Sequence, residues 1–188
     1  MISVFVTWLI IACGALACVY MLWGAWSRFP RRDFDDVVHF LYPVDLSLAE
    51  ALLDPAAEFD ISWKLAPQEF REAQRKRMSL YVELVRRMAH NSKVLVEFSN
   101  AEIIREDLLR SDRARTLQQT AIEVRIYALL TLLKLRVWMW VSKTPTMPQL
   151  RKAAHVDGLK TYDALKTAAE AAFLHLPPTD LETLTRNL

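Results

Sequence analysis

The hydrophobic and polar positions of the chain follow two different patterns, one before and one after residue 27. Residues 2–27 carry no charge, and about 20 apolar residues are enough for a helix to cross the ~30 Å hydrocarbon core of a bilayer. From residue 48 onward, apolar side chains recur every three or four positions between charged ones, as in amphipathic helices. The pattern therefore predicts an all-α protein, with a single N-terminal transmembrane helix followed by a cytoplasmic helical bundle-like domain.

Two other interpretations of the first segment are a cleaved signal peptide and a lipid-attachment sequence. A cleaved signal begins with basic residues and has a shorter apolar core. The stretch Ile10–Cys13 resembles a bacterial lipobox, but no basic residue precedes it and fourteen uncharged residues follow it. An uncleaved anchor at residues 1–27 fits best, because aromatic residues and then arginines follow the apolar run, as they do at a membrane–water interface.

Three arginines predict the orientation of this anchor. The N-terminal side offers only the α-amino group, whereas Arg28, Arg31 and Arg32 follow the apolar run. Positively charged flanks stay on the cytoplasmic side of a membrane. We therefore expect the N-terminus outside and the chain from about Arg28 onward in the cytoplasm. Both cysteines, Cys13 and Cys18, lie in the anchor, which agrees with a reducing compartment for the remainder.

Prolines and helix-capping residues divide the rest of the chain. Short helices are predicted near residues 33–41, 48–53 and 55–63, and a long helix from Pro67. The second short helix follows a capping box of Ser47 and Glu50, and the third follows Asp54 as the N-cap with Pro55 as the first helical residue. Ser99 and Glu102 form a capping box that predicts a restart or kink. Asp112 predicts a new helix start, and Pro145 the end of that helix. The resulting segments are a transmembrane anchor at 1–27, a charged linker with short helices at 28–66, long amphipathic helices forming the core at 67–143, and short helices packing on the core at 144–188.

One stretch, Ile126–Val141, is apolar on nearly every side and allows three interpretations: buried core, interfacial helix or second span. Lys134 and Arg136 near its centre make insertion into a bilayer unfavourable. The favoured interpretation is a central helix of the bundle. It predicts that Leu130 and Leu133 are buried by an apolar stripe on the preceding helix, whose members are Tyr81, Leu84, Met88 and Leu95.

The end of the same stretch contains two tryptophans around a methionine. Trp138, Met139 and Trp140 are consecutive, so on a helix they cannot all face one core. At least one of them is expected to point outward. Trp138 and Trp140 are therefore the candidate interface for a partner.

Charge is distributed in blocks. Residues 33–72 hold ten acidic against two basic residues, and residues 73–155 hold sixteen basic against seven acidic ones. The favoured interpretation is that these two segments pack against each other. The alternative is that the basic segment binds anionic lipid or, less favoured, nucleic acid, since no aromatic stacking pattern accompanies the basic residues.

Motifs for catalysis or cofactor binding are absent from the sequence. There is no phosphate-binding loop, zinc-protease motif or nucleophile elbow, and no histidine follows a glutamate by three positions, as a di-iron bundle requires. The nearest ligand-like group is Asp35 and Asp36 with His39, which is an incomplete metal shell. We therefore expect no cofactor, and consider an enzyme less favoured than a binding protein.

These observations lead to one functional expectation with alternatives. The chain is expected to be a membrane-anchored helical interaction module, such as a scaffold, an adaptor or an accessory subunit of a membrane complex. Its partners would be the bilayer, through residues 2–27, and a protein. A homo-oligomer is left open, because Gly14 and Cys18 are small residues four apart in the anchor. The alternatives are an enzyme with an unrecognised helical site, and a lipid or nucleic-acid binder that uses residues 73–155.

Overall fold

The computed structural model describes residues 34–103, 108–141, 156–174 and 178–188. These ranges contain no strand, which confirms the predicted all-α class. A 3-10 helix at Phe34–Phe40 precedes six α-helices in the described ranges. Their bounds are α1 Leu46–Leu53, α2 Pro55–Lys64, α3 Pro67–Ile103, α4 Leu108–Val141, α5 Val156–Ala172 and α6 Pro178–Asn187.

The predicted membrane anchor lies outside the described residues. So do Arg28, Arg31 and Arg32, on which the predicted orientation rests. Within the described ranges, none of the helices, α4 among them, combines the length and the apolar character needed to cross a bilayer.

Asp45, and not the predicted capping box of Ser47 and Glu50, begins α1. The Asp45 carboxylate accepts a hydrogen bond from the backbone N–H of Leu48 at 3.1 Å and from the Ser47 hydroxyl at 2.6 Å. Ser47 therefore supports the capping residue instead of capping the helix itself. The start of α2 is as predicted: the Asp54 side chain accepts from the Ala56 N–H at 2.9 Å, and Pro55 is the first helical residue.

The expected break near Ser99 is wrong, because α3 continues without interruption to Ile103. The Ser99 hydroxyl donates to the Leu95 carbonyl one turn earlier, at 2.7 Å, so it is satisfied within the helix. The start of α4 also differs from its prediction. The helix begins at Leu108, which places Asp112 inside it.

The two long helices, α3 and α4, form an antiparallel pair at the centre of the fold. Near one end of the pair, the Asn100 Oδ1 of α3 accepts a hydrogen bond from the Gln118 side chain of α4. Farther along, Val85 of α3 and Ala128 of α4 line the same small cavity, so the residue numbers of the two helices run in opposite directions. Buried positions on α4 follow a heptad spacing of three and four residues, which we call the seam. The seam consists of Ala114, Leu117, Ala121, Val124, Ala128, Thr131 and Leu135.

Helix α3 is buried over a broader arc than α4, because other elements pack on its second side. Two of its polar side chains reach backbone carbonyls at the end of the 3-10 helix and in the residues after it. His90 Nε2 lies 3.1 Å from the Phe40 carbonyl, and Arg87 donates to the Pro43 carbonyl at 3.2 Å. The residues that follow the 3-10 helix are therefore held on α3 and contribute Leu41 and Val44 to the core.

Asn91 is a fully buried polar residue that joins distant parts of this unit. Its Oδ1 accepts from the Tyr42 N–H at 2.9 Å, and its Nδ2 lies 2.8 Å from the Tyr42 carbonyl. The same Nδ2 lies 2.9 Å from the Tyr162 hydroxyl on α5 and 3.3 Å from the Asn187 carbonyl on α6. Burial raises the pKa of Tyr162 above its usual range, so its hydroxyl stays protonated. One side chain thus links four segments of the chain.

Candidate interaction surface

Helix α4 has one buried face and one exposed face. The expectation that Leu130 and Leu133 are buried is wrong, because both are exposed, at 43% and 56%. The seam contains alanines at three of its seven positions, and small residues allow two helices to approach closely. The seam also holds Leu117 and Leu135, whereas Leu130 and Leu133 lie on the opposite side of the helix.

The exposed face of α4 presents a continuous apolar row, which we call the outer stripe. Its members are 40% to 56% exposed. Their spacing of three and four residues keeps them on one side of the helix, opposite the seam. Leu130 lies beside this row. The outer stripe consists of Ile122, Ile126, Leu129, Leu133 and Val137.

Basic residues flank the outer stripe on both edges. By helical position, Arg125 and Arg136 lie along one edge and Lys134 along the other. Glu123 is the last acidic residue of α4 in the sequence, so the flanks are positive over most of the stripe. Burial lowers the pKa of Arg125, while the nearby Glu97 carboxylate on α3 opposes that effect and favours the charged guanidinium.

The predicted interface residues, Trp138 and Trp140, follow the outer stripe in the last turn of α4. The backbone at both positions is helical. Their side chains lie outside the part of the chain that the structure describes, so this candidate interface stays a prediction.

The basic residues of α3 are engaged within the protein. Lys76 and Arg87 each pair with a glutamate one turn earlier, at 3.6 Å and 3.3 Å. Arg77 donates to the last carbonyls of α1, those of Ala51 and Leu52, where the helix dipole is negative. The acidic and basic segments of the chain therefore do meet, through the ion pair of Lys76 with Glu72 and through the bonds of Arg77 to the backbone carbonyls of α1.

A second exposed apolar group lies on α2. Phe59 and Trp63 are 63% and 77% exposed, and their ring centroids are 5.9 Å apart. No residue of α2 is buried. Sequence analysis placed this helix correctly but did not identify the aromatic pair, although its spacing of four residues on a short helix was visible.

The ligand-like group near the start of the domain does not form a site in the described residues. The Asp35 and Asp36 side chains lie outside what the structure describes, and His39 is exposed on the 3-10 helix. No group of three or more histidine, cysteine, aspartate or glutamate side chains among the described residues is placed to hold a metal ion.

Two open grooves flank α1 and offer polar linings. One has a volume of about 590 Å³ and is lined by Glu50, Asp54, Lys160 and Asp163, among others. The other, of about 490 Å³, includes Arg87, Lys166 and Arg186 in its lining. Among the described residues, the one hydroxyl in the lining of the first groove, that of Ser47, donates to the Asp45 carboxylate as part of the cap of α1. Both grooves contain charged side chains, whereas the members of the outer stripe are all apolar. The outer stripe is therefore the candidate interaction surface.

Sequence analysis located the helix that presents this surface but assigned its faces incorrectly. Ile122, Ile126, Leu129 and Val137 were not identified, because a stretch that is apolar on every side gives no periodicity to read. The sequence signal that indicated the buried face was the recurrence of alanine every seven residues, at Ala114, Ala121 and Ala128. Comparison with known proteins adds no relative: no family model, no curated protein and no solved structure matches the chain.

Proposed function

We propose that this protein is a membrane-anchored helical interaction module, with its N-terminus outside and the chain from about Arg28 onward in the cytoplasm. The observation that supports an interaction role is the outer stripe. The seam on the opposite face already packs α4 into the fold. Folding therefore does not require the five exposed residues of the outer stripe to be apolar. Exposed apolar rows of this kind on soluble domains are typical of docking surfaces.

The membrane anchor is supported by the sequence alone, through the 26 uncharged residues at 2–27 and the arginines after them. It places the domain beside a bilayer, where a scaffold, adaptor or accessory subunit meets its partners. The alternative of a nucleic-acid binder is less well supported, because several basic side chains of α3 are occupied by neighbouring glutamates and carbonyls.

The orientation is tested with a reporter fused after Leu188. We expect cytoplasmic reporter activity in the unmodified chain. Replacing Arg28, Arg31 and Arg32 by glutamine should weaken this preference, because the remaining flanks no longer differ in positive charge. Replacing Arg75, Lys76 and Arg77 instead is the matched control and should leave the orientation unchanged. Activity of a disulfide-dependent periplasmic reporter in the unmodified chain would overturn the proposed topology.

The interaction role is tested by the accessibility of the outer stripe in native membranes. In a chain with Cys13 and Cys18 replaced by alanine, single cysteines are introduced as Leu133→Cys or, as a control on α5, Asp163→Cys. We expect a maleimide to label position 133 several-fold more slowly in native membranes than in detergent-purified protein, because an occupant covers the stripe. Position 163 should be labelled at similar rates in both. Equal rates at position 133 would contradict the interaction role.

A further inference from the structure

We propose that the outer stripe of α4 lies on the anionic surface of a lipid bilayer, with the helix parallel to the membrane plane. This deepens the proposed function by naming the occupant of its surface, and it rests on the anchor that brings the domain to the membrane. Ile126, Leu129 and Leu133 would enter the boundary between headgroups and acyl chains, as the apolar face of an interfacial helix does.

The geometry of the stripe fits a flat surface. Its five members lie at positions 122, 126, 129, 133 and 137, which extends over about 22 Å at 1.5 Å per residue. Their spacing of three and four residues keeps all five within about 80° of the helix circumference, at about 100° per residue. Side chains confined to so narrow an arc can reach one plane together.

The charges beside the stripe favour an anionic membrane. Arg136 is exposed, and it lies with Arg125 and Lys134 along the edges of the apolar row. The cytoplasmic leaflet carries negative lipids, and each lysine or arginine near such a surface strengthens binding about fivefold. The predicted orientation places the domain on that same side.

A second copy of the chain is a poorer occupant. A two-fold symmetric contact through the stripe would place the same patch of both copies together. Arg125, Lys134 and Arg136 of one copy would then lie close to the same cations of the other, and like charges brought together oppose association. A protein partner with acidic flanks would also satisfy the charges, and it is an outcome of the test below.

The test measures where the stripe lies in full-length protein reconstituted into lipid nanodiscs. The Leu133→Cys chain, again without Cys13 and Cys18, carries an environment-sensitive fluorophore at position 133. The discs contain either phosphatidylcholine alone or phosphatidylcholine with phosphatidylserine, and a fraction of the lipids has brominated acyl chains, which quench the probe on contact. We expect several-fold stronger quenching in the discs with phosphatidylserine, together with a blue-shifted emission.

Control variants separate the stripe from general proximity to the membrane. A probe at position 163, introduced as Asp163→Cys, should show little quenching in either disc. Adding Arg136→Gln should weaken the quenching at position 133, because loss of this cation lowers the affinity for the anionic surface about fivefold. Arg113→Gln, an exposed cation on the side of the same helix away from the stripe, should change it little. Weak, lipid-independent quenching at position 133 would overturn the inference, as would protection at this position that appears only when a second copy or another protein is present.

Failure of this inference is distinguishable from failure of the proposed function. If native membranes protect position 133 but purified anionic discs do not, a protein covers the stripe and the lipid inference is wrong while the interaction role stands. If alkaline carbonate extracts the full-length chain from membranes, the anchor is wrong. Flotation of the extracted chain with phosphatidylserine vesicles then tests the lipid inference separately. Binding of the unmodified chain that is lost in Leu133→Gln supports the inference, and failure of the unmodified chain to bind overturns it.

Discussion

Replacing Asn91 by alanine should lower the free energy of unfolding by about 3–5 kcal/mol, since each buried polar group left without a partner costs about 1–3 kcal/mol. The substitution removes the partner of the Tyr42 N–H and carbonyl and of the Tyr162 hydroxyl together. These groups belong to the segment after the 3-10 helix and to α5, so both should loosen from α3. Urea unfolding followed by circular dichroism measures the change.

Asn100→Ala is the matched control for this prediction. Asn100 is also an asparagine on α3, but it is only partly buried. Among the described residues, its side chain bonds the side chain of Gln118 on α4. Its replacement should cost about 1 kcal/mol, the usual net value of one hydrogen bond. Similar costs for Asn91→Ala and Asn100→Ala would mean that the network around Asn91 contributes little to stability, contrary to the structure.

Asn91 also shows why part of the fold was beyond sequence analysis. The starts of α2 and α3 follow from local signals, because capping residues and prolines act within a few residues. In the apolar spacing of α3, Asn91 reads only as an interruption. Its role depends on Tyr42, Tyr162 and Asn187, which are 49, 71 and 96 positions away in the sequence. Hydrogen bonds over such separations produce no regular spacing of residue types that could predict them.

The faces of α4 illustrate a second limit. Leucine and alanine both favour burial, and a rule based on hydrophobicity alone chooses the larger residue. The seam instead combines Ala114, Ala121 and Ala128 with Leu117 and Leu135, so which leucines are buried depends on the face that α4 turns toward α3 and not on side-chain size. Ser92 and Ser99 are likewise small and fully buried on α3. The candidate surface could therefore be located in the sequence, but which of its residues are exposed depended on the packing of this pair.

The buried and exposed faces of α4 predict very different losses of folding stability when either of two leucines, two positions apart, is replaced. Leu135 is 1% exposed in the seam, whereas Leu133 is 56% exposed in the outer stripe. Leu135→Ala should therefore cost about 2–5 kcal/mol, through lost burial and the cavity left behind. Leu133→Ala should change the free energy of unfolding by no more than about 0.5 kcal/mol, as surface substitutions usually do.

The same pair of variants separates stability from binding. Both substitutions remove the same atoms from the same helix, so a difference between them reports position and not chemistry. In detergent-purified protein, unfolding by urea should distinguish Leu135→Ala from the unmodified chain and leave Leu133→Ala close to it. In anionic nanodiscs, Leu133→Ala should reduce the blue shift of a fluorophore placed at Ile126→Cys, because the stripe loses apolar area that enters the lipid. Equal destabilisation by the two variants would show that Leu133 is buried after all, and the outer stripe would then belong to the core.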